Sequence, residues 1–382
     1  MIRTRKEKIQ DIILILLHPL VYLWMFLDAK ITINKTDEVD FKRKEPYLML
    51  ANHTFLFDVV HVPMYFKIPP FIVASRTLFT KQPTKFLLND IAHCIPKSKG
   101  SSDTRTARGL ISAVKKGYPV VIFPEGNTTF QGNTKYIEHS TFKLAKKLKV
   151  DIITCNVKGG YLSKPRWATG KRKNRRVELN YEIAIHKEEL PHLSVDEISK
   201  IINEKLYNND YEYQKGKMIK RPGKKLAEGI ENILYICPHC NSVNTLESKG
   251  NIVRCNTCNT EGFIDEYGSI NGFKFNNTVD WDNWQKDKKK ILYDAIIDTS
   301  GLLKTISFED DSEKLIGKVD IHYEKGILKL SGAKNLDMVI KDMYNPIITL
   351  RRDFSFTYSN VYYYIKLDAF GASLLRLVQD KY

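Results

Sequence analysis

His53 and Asp58 are the residues whose types and spacing best suit proton transfer in this 382-residue chain. An imidazole titrates near neutrality and can act as a general base, while a neighbouring carboxylate fixes its tautomer and stabilises the imidazolium. On a regular helix, positions five apart are separated by roughly 140° and do not share a face. The two side chains meet only if His53 lies in a turn before a helix and Asp58 one turn inside it. The plainer account of the same spacing is a core histidine beside a first-turn aspartate favoured by the helix dipole. A second stretch, Phe123-Pro124-Glu125-Gly126, adds a carboxylate and a flexible glycine in a similar setting.

A separate constellation is Cys237-Pro238-His239-Cys240 with Cys255-Asn256-Thr257-Cys258. Two C-x2-C knuckles joined by a hairpin-length spacer supply the four thiolates that Zn2+ binds tetrahedrally. Cys237, Cys240, Cys255 and Cys258 would close the coordination sphere, so the expected role is structural, a zinc ribbon, with His239 a bystander. Disulfide pairing is the alternative and would require an oxidising compartment. Cys94 and Cys155 stand alone in apolar runs and read as buried thiols.

The elements that must position the first pair are short apolar strands. Tyr47 to Ala51 ends just before His53, and Val120 to Phe123 ends just before Glu125. Further strands are expected at Ile31 to Asn34, Phe71 to Ala74, Ile152 to Val157 and Val177 to Ile183, with helices at Thr104 to Lys116 and Ser140 to Leu148. Strands alternating with helices indicate an α/β domain, and open α/β sheets gather ligands at the carboxyl ends of their strands.

The order Asn52-His53-x4-Asp58, then Phe123-Pro124-Glu125-Gly126, resembles the glycerolipid acyltransferase family, best known from the lysophosphatidic acid acyltransferases. The resemblance covers roughly residues 10 to 210. It implies transfer of a fatty acyl group from a thioester (acyl-coenzyme A or acyl-carrier protein) to the free hydroxyl of lysophosphatidic acid, giving phosphatidic acid. His53 would be the base and Asp58 its orienter. Glu125 and Gly126 would lie at the acceptor, with Asn52 beside the base also counted as substrate-binding. Family members usually read Phe-Pro-Glu-Gly-Thr-Arg-Ser, whereas Asn127-Thr128-Thr129 follows here, so that arginine is missing. Lys97, in Cys94-Ile95-Pro96-Lys97, stands near the expected position of another phosphate-binding cation, with Arg105 or Arg76 able to compensate. A lysine holds phosphate as a point charge and not as a bidentate fork. These departures bear on the acceptor more than on the reaction, and another lysophospholipid or a glycolipid is the alternative acceptor. With no serine or cysteine beside a base in a nucleophile elbow, direct attack by the acceptor is simpler than a covalent acyl-enzyme, as the resemblance also implies.

Lys and Arg number 60 against 44 acids, a net charge of +16, which points to a polyanionic partner such as anionic membrane lipids, phosphorylated substrates or nucleic acid. Nucleic acid leaves the apolar N-terminus and both strand-end motifs unexplained. A non-catalytic lipid scaffold leaves His53, Asp58 and Glu125 unexplained. Residues 1–30 start with Arg3, Arg5, Lys6 and Lys8 and continue in an apolar run, Ile12 to Leu27, interrupted by His18-Pro19. The run is short of the ~20 residues of a regular span and contains a proline. We therefore expect a monotopic anchor, a helix or kinked helical hairpin in the interface of the cytoplasmic face of the membrane, with a true single span as the alternative.

The basic loop Lys164 to Arg176 fits either a solvated hairpin tip or a dock for anionic lipid or acyl-carrier protein. The organisation expected is an interfacial anchor (1–30), an α/β acyltransferase domain (31–226), a zinc ribbon (227–265) and a β-rich domain of unknown role (266–382). In the last, a helix from Trp281 to about Ile296 precedes strands at Leu302 to Phe308, Lys318 to His322, Ile327 to Ser331, Met338 to Lys341, Ile347 to Leu350, Ser355 to Tyr358 and Val361 to Leu367. A final helix at Ala369 to Gln379 makes the pattern resemble a pleckstrin-homology barrel.

Overall fold

Thr4 and Glu7 form a capping box that starts α1 (Arg5–Asp28), a single 24-residue helix with Pro19 inside it. The chain is seen in a computed structural model that describes residues 3–79, 82–97, 104–307 and 312–380. It divides into two units, residues 1–165 with 174–219, and residues 166–173 with 220–382. The apolar N-terminal run is thus one helix and not a hairpin. By length and composition α1 could cross a membrane.

Within the first unit the elements run β1 (Lys30–Lys35), β2 (Tyr47–Ala51), α2 (Asp58–His61), β3 (Phe71–Ser75), α3 (Thr84–Phe86), β4 (Cys94–Lys97), α4 (Thr104–Lys115), β5 (Val120–Ile122), α5 (His139–Leu148), β6 (Asp151–Lys158), α6 (Gly160–Ser163), β7 (Arg176–Ile185), α7 (Val195–Leu206) and α8 (Asp210–Lys217). The strands form one sheet in the order β1-β7-β6-β2-β5-β3-β4. Every neighbouring pair is parallel except β6 and β7. Every residue of β2 and β5 is buried, as uniformly apolar central strands covered on both faces must be. One core joins the sheet to α4, α5 and α7 through Leu110, Phe142, Ala145, Ile198 and Ile202. The other gathers Val39, Phe55, Val62, Phe66 and Tyr181 on the opposite face.

Three elements differ from expectation. Cys94–Lys97 is an edge strand, which Pro96 tolerates because only one side pairs. Helices α7 and α8 lie in a polar stretch whose capping boundaries, Ser194 with Glu197 and Asn209 with Tyr211, are the clearer signals. Asp58 is the first helical residue and not one turn inside.

Helix α1 lies along the first unit through its polar face. Lys116 meets Glu7 at 2.6 Å, Gln10 donates to the carbonyls of Asn89 and Ala92, and Asp11 holds His93 and Tyr118. His18 reaches the Met64 carbonyl, and Asp28 sits against His61, Lys164 and Arg175. From Glu7 to Asp28 these contacts extend over about 30 Å of helix. The other face exposes Leu16, Leu20, Leu23, Phe26 and Leu27.

The second unit holds a 3-10 turn at Ile230–Asn232 and a small sheet of β8 (Leu246–Lys249), β9 (Ile252–Cys255), β10 (Glu261–Ile264) and β11 (Ile270–Asn271), ordered β11-β10-β9-β8. Two helices follow, α9 (Thr278–Lys286) and α10 (Lys289–Tyr293), where one was expected. Seven antiparallel strands then run β12 (Ile297–Ile306), β13 (Glu313–Glu324), β14 (Ile327–Gly332), β15 (Leu336–Val339), β16 (Tyr344–Thr349), β17 (Asp353–Tyr358) and β18 (Val361–Leu367), closing with α11 (Gly371–Asp380). Their order is β15-β14-β13-β12-β18-β17-β16. The strand end expected at Phe308 lies outside the described residues.

Trp167 and Arg172 of the basic loop are buried. Arg172 packs over the Trp167 ring and donates to the Leu226 carbonyl, so these two side chains belong to the core of the second unit while Thr169, Lys171 and Lys173 stay exposed.

Candidate active site

His53 follows the end of β2, and its Nδ1 lies 2.8 Å from Asp58 Oδ1. Asp58 is fully buried, and its Oδ2 accepts the backbone N–H of Thr54 at 2.7 Å and of Phe55 at 3.2 Å. The carboxylate therefore holds the turn and the imidazole together, which brings the two residues within reach despite their angular separation on a helix. The His53 side chain keeps 15% of its surface, and its ring lies 4.8 Å from that of Phe123. With Nδ1 turned to Asp58, Nε2 is the nitrogen left for a reacting proton.

Strand β5 supplies the second turn. Glu125 Oε1 accepts the His53 backbone N–H at 2.7 Å, and Oε2 accepts that of Lys135 at 2.8 Å. On its other side, the His53 carbonyl accepts the Thr129 N–H at 2.8 Å. The peptide carrying the base is thus gripped from both ends by residues 125–129. Although Glu125 as a residue keeps some surface, burial of its carboxyl group raises its pKa to about 7 against the two amides and Lys135, which lower it. Gly126 adopts φ +69°, which favours glycine, and open space lies where a Cβ would stand. The Asn52 side chain donates to the Val157 carbonyl at 2.9 Å and accepts the Val157 N–H at 2.6 Å, tying β2 to β6.

Asn52 and Glu125, expected at the acceptor, have their polar groups engaged by backbone. Their placement is that of scaffolding. Lys97 ends β4 opposite Ser75 in the register. Since β2, β5, β3 and β4 are adjacent and parallel, His53, Gly126 and Lys97 all stand at the same edge of the sheet, and the β2 and β4 ends are about 14 Å apart. The side chain of Arg76 lies outside the described residues.

The floor behind the His53 turn is close-packed. A Cβ on Gly160 would lie 2.1 Å from Thr54 Oγ1 and 2.7 Å from the Phe55 ring. On the outer side, Phe57 packs edge-on against Trp24 of α1 at 4.8 Å, and Lys164 lies over the Phe57 ring at 5.0 Å. Leu56 between them is 68% exposed. His61 and His93, which offered no partner by spacing, are buried against Asp28 and Asp11 of α1. Sequence could not pair them, because both carboxylates belong to a helix that read as an isolated anchor.

In the second unit the four expected cysteines come together, with all four sulfurs within 4.8 Å of one another. Cys237 and Cys258 are 3.9 Å apart and Cys240 and Cys255 are 3.7 Å apart. Disulfides would need sulfurs about 2.05 Å apart. A tetrahedron with arms of about 2.3 Å has edges of about 3.8 Å, so the set fits a ZnS4 site. Backbone N–H groups of His239 and Cys240 address Cys237, and those of Thr257 and Cys258 address Cys255, as thiolate ligands require. The His239 side chain is exposed and outside the cluster.

Residues 32–158 match the family model described as Acyltransferase, a span that includes both strand-end turns. Curated proteins yield no match. Among solved structures, the chain is similar to the 1-acyl-sn-glycerophosphate (LPA) acyltransferase, PlsC, from Thermotoga maritima, at 16% identity and a TM-score of 0.42. That match covers 57% of this chain and 85% of the other. Residues 32–158 are thus acyltransferase-like and follow an N-terminal apolar helix, and the C-terminal region is β-rich and carries a four-cysteine cluster.

Proposed function

We propose that the protein acylates the free hydroxyl of lysophosphatidic acid, using a thioester donor (acyl-coenzyme A or acyl-carrier protein), and gives phosphatidic acid at the membrane interface. The observation that carries this reading is the 2.8 Å contact of His53 Nδ1 with buried Asp58 at the carboxyl end of a central strand. His53 Nε2 takes the proton from the acceptor hydroxyl as its oxygen attacks the thioester carbonyl. Collapse of the tetrahedral oxyanion expels the thiolate, which takes the proton from the imidazolium. Gly126 leaves room for the acceptor, and Lys97 across the same edge supplies a cation for its phosphate, at a separation that a lysine side chain and a glycerol phosphate together can cross.

The missing arginine after Gly126, where Asn127 stands, favours a second acceptor class, another lysophospholipid or a glycolipid. Helix α1 supports a monotopic position on the cytoplasmic face. Its polar residues Glu7, Gln10, Asp11, His18 and Asp28 are engaged by the domain, and its exposed Leu16, Leu20, Leu23, Phe26 and Leu27 are available to lipid. Cys237, Cys240, Cys255 and Cys258 would hold a structural Zn2+, which would supply cross-linking of the two knuckles and no chemistry.

The test is acyl transfer onto lysophosphatidic acid in mixed micelles by wild type and His53→Ala, with both donor types offered. Product from wild type and a loss of at least about a thousandfold in the mutant supports the reading. Transfer only to another lysolipid would select the alternative acceptor. Absence of transfer to any lipid hydroxyl by folded protein would overturn both.

A further inference from the structure

Between β3 and β4 lies a connection, described at residues 76–79 and 82–92, that the catalytic reading leaves unused. It exposes three large apolar side chains, Leu78 at 46%, Phe86 at 54% and Leu87 at 48%. Lys85 stands beside them, also exposed. Such side chains scattered singly need no explanation, but these are close in sequence, follow a strand end of the site edge, and carry a lysine. The connection is also fastened to α1. Gln10 is buried and donates to the carbonyls of Asn89 at 3.0 Å and Ala92 at 3.2 Å, and Lys6 pairs with Asp90 at 3.2 Å.

We propose that this β3–β4 connection is a second membrane-inserting element, which places Phe86 and Leu87 in the bilayer interface beside α1, with Lys85 at the level of anionic headgroups. The inference rests on the interfacial position proposed above for α1. The occupant is lipid because Lys6 and Gln10 fasten this stretch to the helix that exposes Leu16, Leu20, Leu23, Phe26 and Leu27. Its pairing of aromatic and leucine side chains with a lysine is the composition that interfacial segments use. The same connection leads from β3 into β4 and Lys97, so it borders the side of the site edge where the acceptor's phosphate is proposed to sit. Two attachments flanking that edge would present a lysolipid to the base without drawing it fully from the bilayer.

The test uses the full chain and vesicles of phosphatidylcholine with phosphatidylglycerol. Hydrogen exchange on the wild-type protein reads the contact directly, with vesicles slowing exchange over residues 82–91 as well as over α1. The variant Phe86→Asp with Leu87→Asp should bind these vesicles about tenfold or more weakly at an unchanged melting temperature, since both side chains are exposed in the free protein. Lys85→Glu should weaken binding to these vesicles and leave binding to pure phosphatidylcholine unchanged. Protection confined to α1, or wild-type vesicle affinity in the double variant, would overturn the proposal. Neither readout requires turnover, so a failure of the acyltransferase reading would be seen separately, in the micelle assay.

Discussion

The backbone N–H of His53 and the Oε1 of Glu125, 72 residues later, are 2.7 Å apart, and the second oxygen of that carboxylate anchors Lys135. In the reaction proposed above, a carboxylate used in this way positions His53 and does not meet the acceptor. Glu125→Ala should therefore lower kcat by about a hundredfold, the scale of a small misplacement of a catalytic group, with the acceptor KM little changed. Steady-state kinetics against acceptor concentration decides it. A rise in acceptor KM at constant kcat would return Glu125 to the acceptor site.

The same residue gives a dependence of stability on pH. Its carboxyl group has a pKa of about 7 in the folded protein, raised by burial from an ordinary 4.5. Below 4.5 both folded and unfolded chains hold the proton, and Glu125 contributes nothing to the slope. Between 4.5 and about 7 only the folded chain holds it, so stability falls as pH rises, and above about 7 the loss is complete. Allowing for the residue's partial exposure, the total is roughly 2 kcal/mol. Melting of Glu125→Gln against wild type across this window should show that this part of the slope has gone. An identical slope in both proteins would refute the assignment.

Asp58 links chemistry to the local fold more tightly than its spacing from His53 suggests. Replacing it with alanine strands two backbone amides in a fully buried place, at about 1–3 kcal/mol each, and frees the imidazole. Asp58→Ala should show both a lower melting temperature and a loss of activity, whereas His53→Ala should lose activity with little change in melting. Equal melting of the two variants would remove the structural half of the argument.

The limits of the sequence follow from which interactions are local. Tyr47–Ala51 was legible to the residue because five consecutive apolar side chains leave little choice but a doubly covered strand. The C-terminal strands were legible through alternation and turn residues, and the cysteine quartet through its spacing alone. Partners far apart in sequence left no such trace. Glu125 and His53, Asn52 and Val157, and His93 and Asp11 each join segments more than seventy residues apart. In the basic loop charge dominates the composition and hides that Trp167 is buried with Arg172 stacked on it. The anchor helix read as solitary because its apolar run hid the polar face formed by Glu7, Gln10, Asp11, His18 and Asp28.

For the cysteine quartet the expected outcome is one zinc per chain, released on denaturation and absent from Cys237→Ser with Cys255→Ser. The knuckles share the second unit with α9, where Trp281 donates to the Ile236 carbonyl at 2.9 Å and Gln285 bonds to Ile233 and Tyr235. Chelation should therefore lower the melting temperature of the second unit, not merely fray a finger. Metal analysis finding no zinc, with four free thiols in the folded protein, would dispose of the site.

Asp28 tests whether α1 is fixed to the domain or free to leave it. Burial pushes its carboxyl pKa up, but His61, Lys164 and Arg175 around it outweigh that and hold the group below the usual aspartate value. An acid with a lowered folded pKa contributes stability above its unfolded pKa of about 3.8 and loses it as pH falls through the folded value. At neutral pH the contribution is complete. Asp28→Asn should leave Lys164 and Arg175 without their counter-charge and destabilise the docked helix by roughly 3 kcal/mol, the scale of breaking a partly buried pair. Limited proteolysis between α1 and β1 is the sensitive readout, because an undocked helix exposes Ala29 and Lys30, of which Ala29 is buried in the docked state. Faster cleavage in the variant, suppressed by vesicles, fits a helix held by the domain on one side and lipid on the other. Cleavage as slow as in wild type without vesicles would mean that Asp28 does not hold the helix down, and that the long row of contacts from Glu7 to His18 suffices.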